Sequence, residues 1–174
     1  MNYYLDFDYT LFDTHAFRQG LYEILERNGF DKTALALTPE MKSNGQKLLN
    51  IKELFTNLAQ SRNIPIENFL EPLEELYERC HEFVYSDTIE FLKYLKSQKH
   101  NIFVLTWGDK KFQEEKFIAS KLGEYVDQVI YAEELKYTLD IDYPNGIFVD
   151  DSIRDLEGLY SQNAKRVYRI KRPN

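Results

Sequence analysis

Cysteine is nearly absent from this chain. Cys80 is the single one, so no intramolecular disulfide can form and a zinc site built on cysteines is excluded. Long apolar runs are missing too; those present extend a few residues, far below the roughly 18 needed to span a bilayer. No membrane helix is available. Seven Gly and five Pro are too few for a collagen-like or low-complexity chain. Basic charge is in deficit: 22 Lys and Arg against 29 Asp and Glu leave a net charge of −7. Sequestering nucleic acid through its phosphates needs a clustered basic face, which an acidic chain of this kind is poorly suited to supply. Met1-Asn2 runs straight into Tyr3-Tyr4-Leu5, without room for a basic segment and an apolar signal core, so a reducing, cytoplasmic location is the expectation. What remains is an ordinary globular composition, 43% hydrophobic and 29% charged over 174 residues. That length suits one domain, or one domain with a modest insertion.

Five short runs rich in branched or aromatic residues read as strands, each ending at a polar break. They are Tyr3-Tyr4-Leu5, Asn101 to Leu105, Val126 to Tyr131, Gly146 to Val149, and Arg166 to Ile170. From residue 87 onward, strands alternate with helical patterns. Asp87 is placed to cap a helix carrying Ile89, Phe91, Leu92 and Leu95; Phe112 to Leu122 reads as a second helix stopped by Gly123, and Ile153 to Gln162 as a third. Such alternation indicates a parallel sheet covered on both faces.

Between the first strand and residue 87 the periods are helical only. Asp13 or Thr14 is placed to cap Phe17-Leu21-Ile24-Leu25, with Gly29 as the stop. Thr38-Pro39 has the form of an N-cap followed by proline. Leu48, Ile51, Leu54, Phe55 and Leu58 form one stripe, ending near Asn63-Ile64-Pro65. Leu73, Leu76, Tyr77, Cys80, Phe83 and Val84 form another after Pro72. The expected architecture is therefore α/β: a Rossmann-like three-layer core with a mainly parallel sheet, residues 1–13 and 87–174, interrupted by an all-α insertion, residues 14–86.

In a parallel sheet, ligands bind beyond the carboxyl ends of the strands. The first strand runs into Asp6-Phe7-Asp8-Tyr9-Thr10, the second into Thr106-Trp107-Gly108-Asp109, and the fourth into Asp150-Asp151-Ser152. Four carboxylates and a hydroxyl thus converge on one edge. Like charges so close repel strongly, and a hard divalent ion such as Mg²⁺ suits their oxygens. A phosphate ester would add further negative charge and make both the metal and a lysine necessary. Phosphoryl transfer to an aspartate nucleophile satisfies all of these groups.

The ordered set resembles the haloacid dehalogenase (HAD) superfamily across essentially the whole chain. Leu5-Asp6-Phe7-Asp8-Tyr9-Thr10-Leu11 is similar to its first motif, Val104-Leu105-Thr106 to its second, and Ile147-Phe148-Val149-Asp150-Asp151 to its fourth. Asp155 supplies the further acid often seen there. The resemblance implies that Asp6 is the nucleophile that forms an aspartyl-phosphate and also binds Mg²⁺. It implies that Asp8 is the general acid and then the base, with its backbone carbonyl on the metal. Thr106 would bind a phosphoryl oxygen, assisted by the amides of Trp107 and Gly108. Asp151 would ligate the metal, and Asp150 would do so directly or through water. The insertion would be a helical cap. The third motif requires a lysine before the fourth strand; Lys136 is the choice, with Lys116 and Lys110 competing. The family usually places a proline after that lysine and a full crossover helix nearby, and neither is seen here. Tyr9 also departs from the smaller or amide side chain common at its position. Members that break carbon–halogen bonds lack the second aspartate, because no leaving oxygen needs a proton, so Asp8 argues against a dehalogenase.

Other features read as structural. Asp13, Asp87 and Asp109 suit helix caps or turns, and Asp155 suits a helical first turn as well as the metal. His15, His81 and His100 share no metal-ligand spacing. Cys80 and His81 are helix neighbours that cannot face each other, and Cys80 lies on an apolar stripe. Tyr9, Phe12, Phe17 and Trp107 are candidates to touch a substrate's apolar part. Lys165-Arg166, Arg169 and Lys171-Arg172 read as a solvated edge strand. The expected activity is Mg²⁺-dependent hydrolysis of a small phosphorylated metabolite. A phosphomutase or a catalytically silent binding protein are the alternatives. A phosphorylatable receiver is excluded, because receivers carry their acidic pair after the first strand.

Overall fold

The computed structural model describes residues 1–37, 50–132 and 134–172. Strands β1 (Asn2–Leu5), β2 (Asn101–Trp107), β3 (Gln128–Ala132), β4 (Ile147–Asp150) and β5 (Arg166–Arg169) form one sheet in the order β3-β2-β1-β4-β5. Every pairing is parallel, so the expected Rossmann-like core is present with β1 at its centre. The register sets Leu5 opposite both Val104 and Val149. Asp6 and Asp150 therefore leave neighbouring strands side by side, and the Asp6 N–H donates to Val149 O at 2.9 Å.

Side chains alternate across the pleat and build a core on each face. On one face Tyr4 stacks on Phe103 and Phe148, with ring centroids 5.0 and 4.9 Å apart, beneath Leu156 and Leu159 of α6 (Ile153–Ser161). On the other, Leu5, Ile102 and Val104 meet Leu92 and Leu95 of α4 (Thr88–Ser97) and Phe117 of α5 (Lys110–Ala119). α5 is shorter than its pattern suggests. It ends at Ala119 because Lys121 turns left-handed (φ 60), and Gly123 falls inside a separate 3-10 turn, Leu122–Tyr125. Asp87 precedes α4 but makes no capping bond; its carboxylate accepts twice from Arg172 Nη1, at 2.7 and 2.9 Å.

Between β1 and α4 the described residues are helical: α1 (Thr14–Arg27), α2 (Ile51–Arg62) and α3 (Glu67–Glu78), with 3-10 turns at Lys32–Leu37 and Cys80–Phe83. Thr38-Pro39 and Leu48 lie outside the described residues. Asp13 caps α1 by accepting from Ala16 N at 3.0 Å, and left-handed Asn63 ends α2. α3 begins before Pro72 rather than after it. Proline there leaves the Asn68 carbonyl without its usual helical donor, and Asn28 Nδ2 donates to that carbonyl instead, at 3.2 Å.

The chain enters and leaves this segment through one stem. Asp13 N donates to Phe83 O at 2.7 Å and Tyr85 N to Leu11 O at 3.1 Å. Inside it, Phe17, Leu21, Phe55, Phe69 and Leu73 are fully buried and join the same apolar cluster as Leu5 and Val104. Among the described residues no helix is long and apolar enough to cross a membrane.

Candidate active site

β1 ends in a tight turn that fixes both of its acids. The amides of Leu11 and Phe12 donate to Phe7 O, each at 3.0 Å, and Tyr9 N donates to Phe12 O at 2.9 Å. Tyr9 itself is left-handed, φ 58, a conformation that disfavours most side chains. That backbone demand accounts for the smaller or amide residue expected at this position.

Asp6, Asp150 and Asp151 each offer a carboxylate oxygen, and the three atoms lie within 4.8 Å of one another. Lys136 reaches into this group from a 3-10 turn, Lys136–Thr138. Its Nζ lies 2.6 Å from Asp6 Oδ1 and 2.8 Å from Asp150 Oδ2. The β3–β4 connection has no α-helix among its described residues, and Tyr143 holds it in place by donating to Lys136 O and Leu139 O. Burial opposes a charge on Lys136, but Asp6 and Asp150 outweigh it and hold the ammonium well above the usual lysine range. Burial pushes Asp6 the other way; Lys136 offsets only part of that, Asp150 and Asp8 add to it, and the Asp6 carboxyl rises to about 8. Asp151 is also raised, first by burial and then by Asp150.

This group fits a divalent cation. One ammonium serves a cluster of three carboxylates, leaving an excess of negative charge that a hard oxygen-seeking ion would relieve. Asp6 Oδ2 is buried with no hydrogen-bond partner among the described residues. Asp150 is more fully occupied, since Lys136 takes one oxygen and the Ser152 amide donates to the other at 2.9 Å.

Asp8 lies in a different environment. Lys116 Nζ is 2.5 Å from one oxygen, which also accepts from Thr14 Oγ1, and Gln113 Nε2 donates to the other at 3.0 Å. Burial would raise this carboxyl, but Lys116 and the three hydrogen bonds hold it below its ordinary value. Gln113 and Lys116 lie three residues apart on α5, on one helical face, and both are buried. The sequence pattern offers Lys116 only as a rival of Lys136 and does not mark Gln113, because the buried face of α5 carries both beside Phe117 and so shows little apolar period. Lys110 begins α5 on the surface.

Thr106, next to last in β2, has its hydroxyl buried and unpartnered among the described residues. The Trp107 indole N–H is likewise unpartnered. Gly108 adopts φ 147, and a Cβ there would come within 2.8 Å of Gln113 Nε2. Its amide donates to Ala132 O at 3.2 Å. Asp109 caps α5 by accepting from Phe112 N at 2.8 Å. Asp155 lies in the first turn of α6, its amide donating to Ser152 Oγ. Cys80 is buried, and burial pushes its thiol up to about 12.

Residues 3–167 match the family model described as haloacid dehalogenase-like hydrolase. The chain belongs to this family. The Asp6 cluster, Lys136 and Thr106 therefore occupy the carboxyl edge of a HAD-type core. Similar solved structures include a protein from Thermotoga maritima provisionally described as a β-phosphoglucomutase, 17% identical with a TM-score of 0.63, covering 99% of this chain and 87% of that one. A Bacillus subtilis protein provisionally described as a HAD hydrolase, bound to magnesium, is 15% identical with a TM-score of 0.58, covering 99% and 89%. A Clostridium difficile protein provisionally described as a phosphatase is 16% identical with a TM-score of 0.56, covering 95% and 82%. At these identities the likeness speaks for the fold. No curated protein matches the chain.

Proposed function

We propose that this HAD hydrolase is a Mg²⁺-dependent phosphomonoesterase acting on a small phosphorylated metabolite through an aspartyl-phosphate on Asp6. The observation that carries the reading is the buried cluster at the end of β1 and β4. There Asp6 keeps one oxygen without a partner while Lys136 bonds the other at 2.6 Å. Asp6, Asp151 and the backbone carbonyl of Asp8 would hold the ion, with Asp150 contributing directly or through water. When bound, Mg²⁺ neutralises charge on the transferring phosphoryl group and keeps Asp6 ionised.

Asp6 attacks phosphorus and the bond to the leaving oxygen breaks. Lys136 and the Thr106 hydroxyl bind phosphoryl oxygens, with the Trp107 amide nearby. Water then attacks the aspartyl-phosphate, Asp8 takes its proton, and the bond from Asp6 to phosphorus breaks. The environment of Asp8 suits this second step directly, because Lys116 keeps it a carboxylate. Donating a proton to the leaving oxygen in the first step requires Asp8 to part from Lys116 and take up a proton from solvent beforehand. Residues 14–86 form the cap in this reading, anchored to a core of residues 1–13 and 87–174 by the stem at Asp13 and Tyr85. Closure over the site would exclude water and select the leaving group. A single free, buried cysteine suits a reducing, cytoplasmic setting.

The test is hydrolysis of para-nitrophenyl phosphate with Mg²⁺, with EDTA, and with Asp6→Asn. Turnover that requires Mg²⁺ and disappears in Asp6→Asn is expected. If turnover persists in the variant, the aspartyl-phosphate mechanism is wrong. Release of inorganic phosphate, rather than return of the phosphoryl group to a second hydroxyl, separates the phosphatase from a mutase.

A further inference from the structure

Beside the carboxylate cluster lies a cavity of about 250 Å³ whose walls come from five separate stretches of chain. Its lining includes His15, Tyr85, Asp151, Arg169, Lys171 and Arg172. Asp151 belongs both to this wall and to the carboxylate cluster, so the cavity adjoins the place where chemistry would occur. The last residue of β5 and the tail after it bring three cations to this one spot on a protein of net charge −7.

These cations are not equivalent. Arg172 is anchored: it donates to Thr10 O at 2.8 and 3.0 Å, pairs with Asp87, and lies 4.3 Å from the Tyr85 ring centroid. The basic tail is thus not merely a solvated edge strand, because this guanidinium ties it to the turn after β1. Arg169 is fixed at one end only, its Nε donating to Asp151 O at 3.1 Å. Lys171 is exposed and has no ion pair among the described residues. The Tyr85 hydroxyl is buried without a partner among the described residues. A pre-ordered wall, two cations with donors to spare and an unsatisfied hydroxyl beside the reacting edge are what an anionic ligand group needs.

We propose that this cavity binds a second anionic group of the substrate, so that the preferred esters carry a carboxylate or a second phosphate on the leaving side. This rests on the phosphomonoesterase reading. It also moves part of the substrate selection from the helical insertion to the end of β5 and the tail after it, through Arg169 and Lys171.

A matched set of esters tests it. With Mg²⁺, kcat/KM is measured for glycerol 3-phosphate, 3-phosphoglycerate and glycerol 1,3-bisphosphate. The first two differ only in a hydroxymethyl against a carboxylate. A preference of about tenfold or more for a charged partner is expected, falling about tenfold in Lys171→Met and in Arg169→Met, the size of one lost charge-assisted contact. Lys165→Met, at the opposite end of β5, should keep the preference. Which of the two charged esters wins identifies the anion. A wild-type ratio near one, or a ratio untouched in both variants, overturns the proposal.

Direct calorimetric titration with 3-phosphoglycerate in Mg²⁺ buffer needs no turnover and separates the two readings. Binding that weakens in both variants while no ester is hydrolysed would keep the anion cavity and reject the phosphatase. Hydrolysis without dependence on Arg169 or Lys171 would do the reverse, and absence of both binding and hydrolysis would reject both.

Discussion

Lys136→Met is the substitution that bears most directly on the site. Lys136 is 95% buried through its side chain and lies within 2.8 Å of two carboxylates that are as buried as itself. Removing one partner from a buried ion pair costs about 3–5 kcal/mol when the remaining charge has no escape. Here Asp6 does have one, because it can take up a proton. Its carboxyl stands at about 8 against 3.8 for an unperturbed aspartate, and Lys136 is the largest influence holding it down. Without that ammonium it rises further, and each additional unit adds about 1.4 kcal/mol to the cost of keeping Asp6 charged.

The sign of the pH dependence follows. A carboxyl that binds its proton more tightly when folded than when unfolded costs nothing below about pH 4, and its penalty grows as pH rises until the folded value is passed, then levels off. The wild-type carboxyl already stands at about 8, so the Asp6 penalty is shared by wild type and metal-free variant up to about pH 7, and the variant's deficit should widen above pH 8 by about 1.4 kcal/mol per pH unit until its own folded value is reached. Urea unfolding in EDTA at pH 7 and at pH 9.5 measures this. A deficit that stays constant or narrows between those pH values would refute the placement of Lys136 between the two acids.

Three further outcomes are expected. Because the metal-free Asp6 carboxyl stands at about 8, Mg²⁺ binding at pH 7 should release close to one proton; calorimetry in two buffers of different ionisation enthalpy measures it, and identical heats would contradict the buried-cluster geometry. Thr106→Val removes a buried hydroxyl without a described partner, so stability should change by less than about 1 kcal/mol while phosphatase activity falls about a hundredfold. Asp8→Asn should slow hydrolysis of an alkyl phosphate far more than that of para-nitrophenyl phosphate, whose phenolate departs with little need of a proton. Equal losses on the two esters would remove Asp8 from the leaving-group step.

Much of the architecture could be read from local pattern. The strand runs at Tyr3, Asn101 and Gly146 and the caps at Asp13 and Asp109 rest on side-chain period and on hydrogen bonds spanning three or four residues, so neighbours along the chain are enough to specify them. Where two local signals competed, reading the chain alone went astray. Pro72 marked a helix start only as long as the Asn28 amide, 40 positions from the Asn68 carbonyl it serves, was out of view. Asp87 looked like a cap because its partner Arg172 is 85 residues away.

The chain's own order determined the fold class, the family and the identity of the acids at the carboxyl edge, because an Asp placed directly after a β-run must emerge at that edge. Which charges meet there was decided by the tertiary structure. Lys136 reaches Asp6 across 130 residues and Lys116 reaches Asp8 across 108. The sheet order brings β1 beside β4, and the packing of α5 aims Gln113 and Lys116 at the other acid. The two aspartates stand two residues apart, yet they sit in opposite electrostatic settings, one carboxyl raised and the other lowered. Burial and the placement of distant cations set that difference, and neither is encoded in the spacing of the motif.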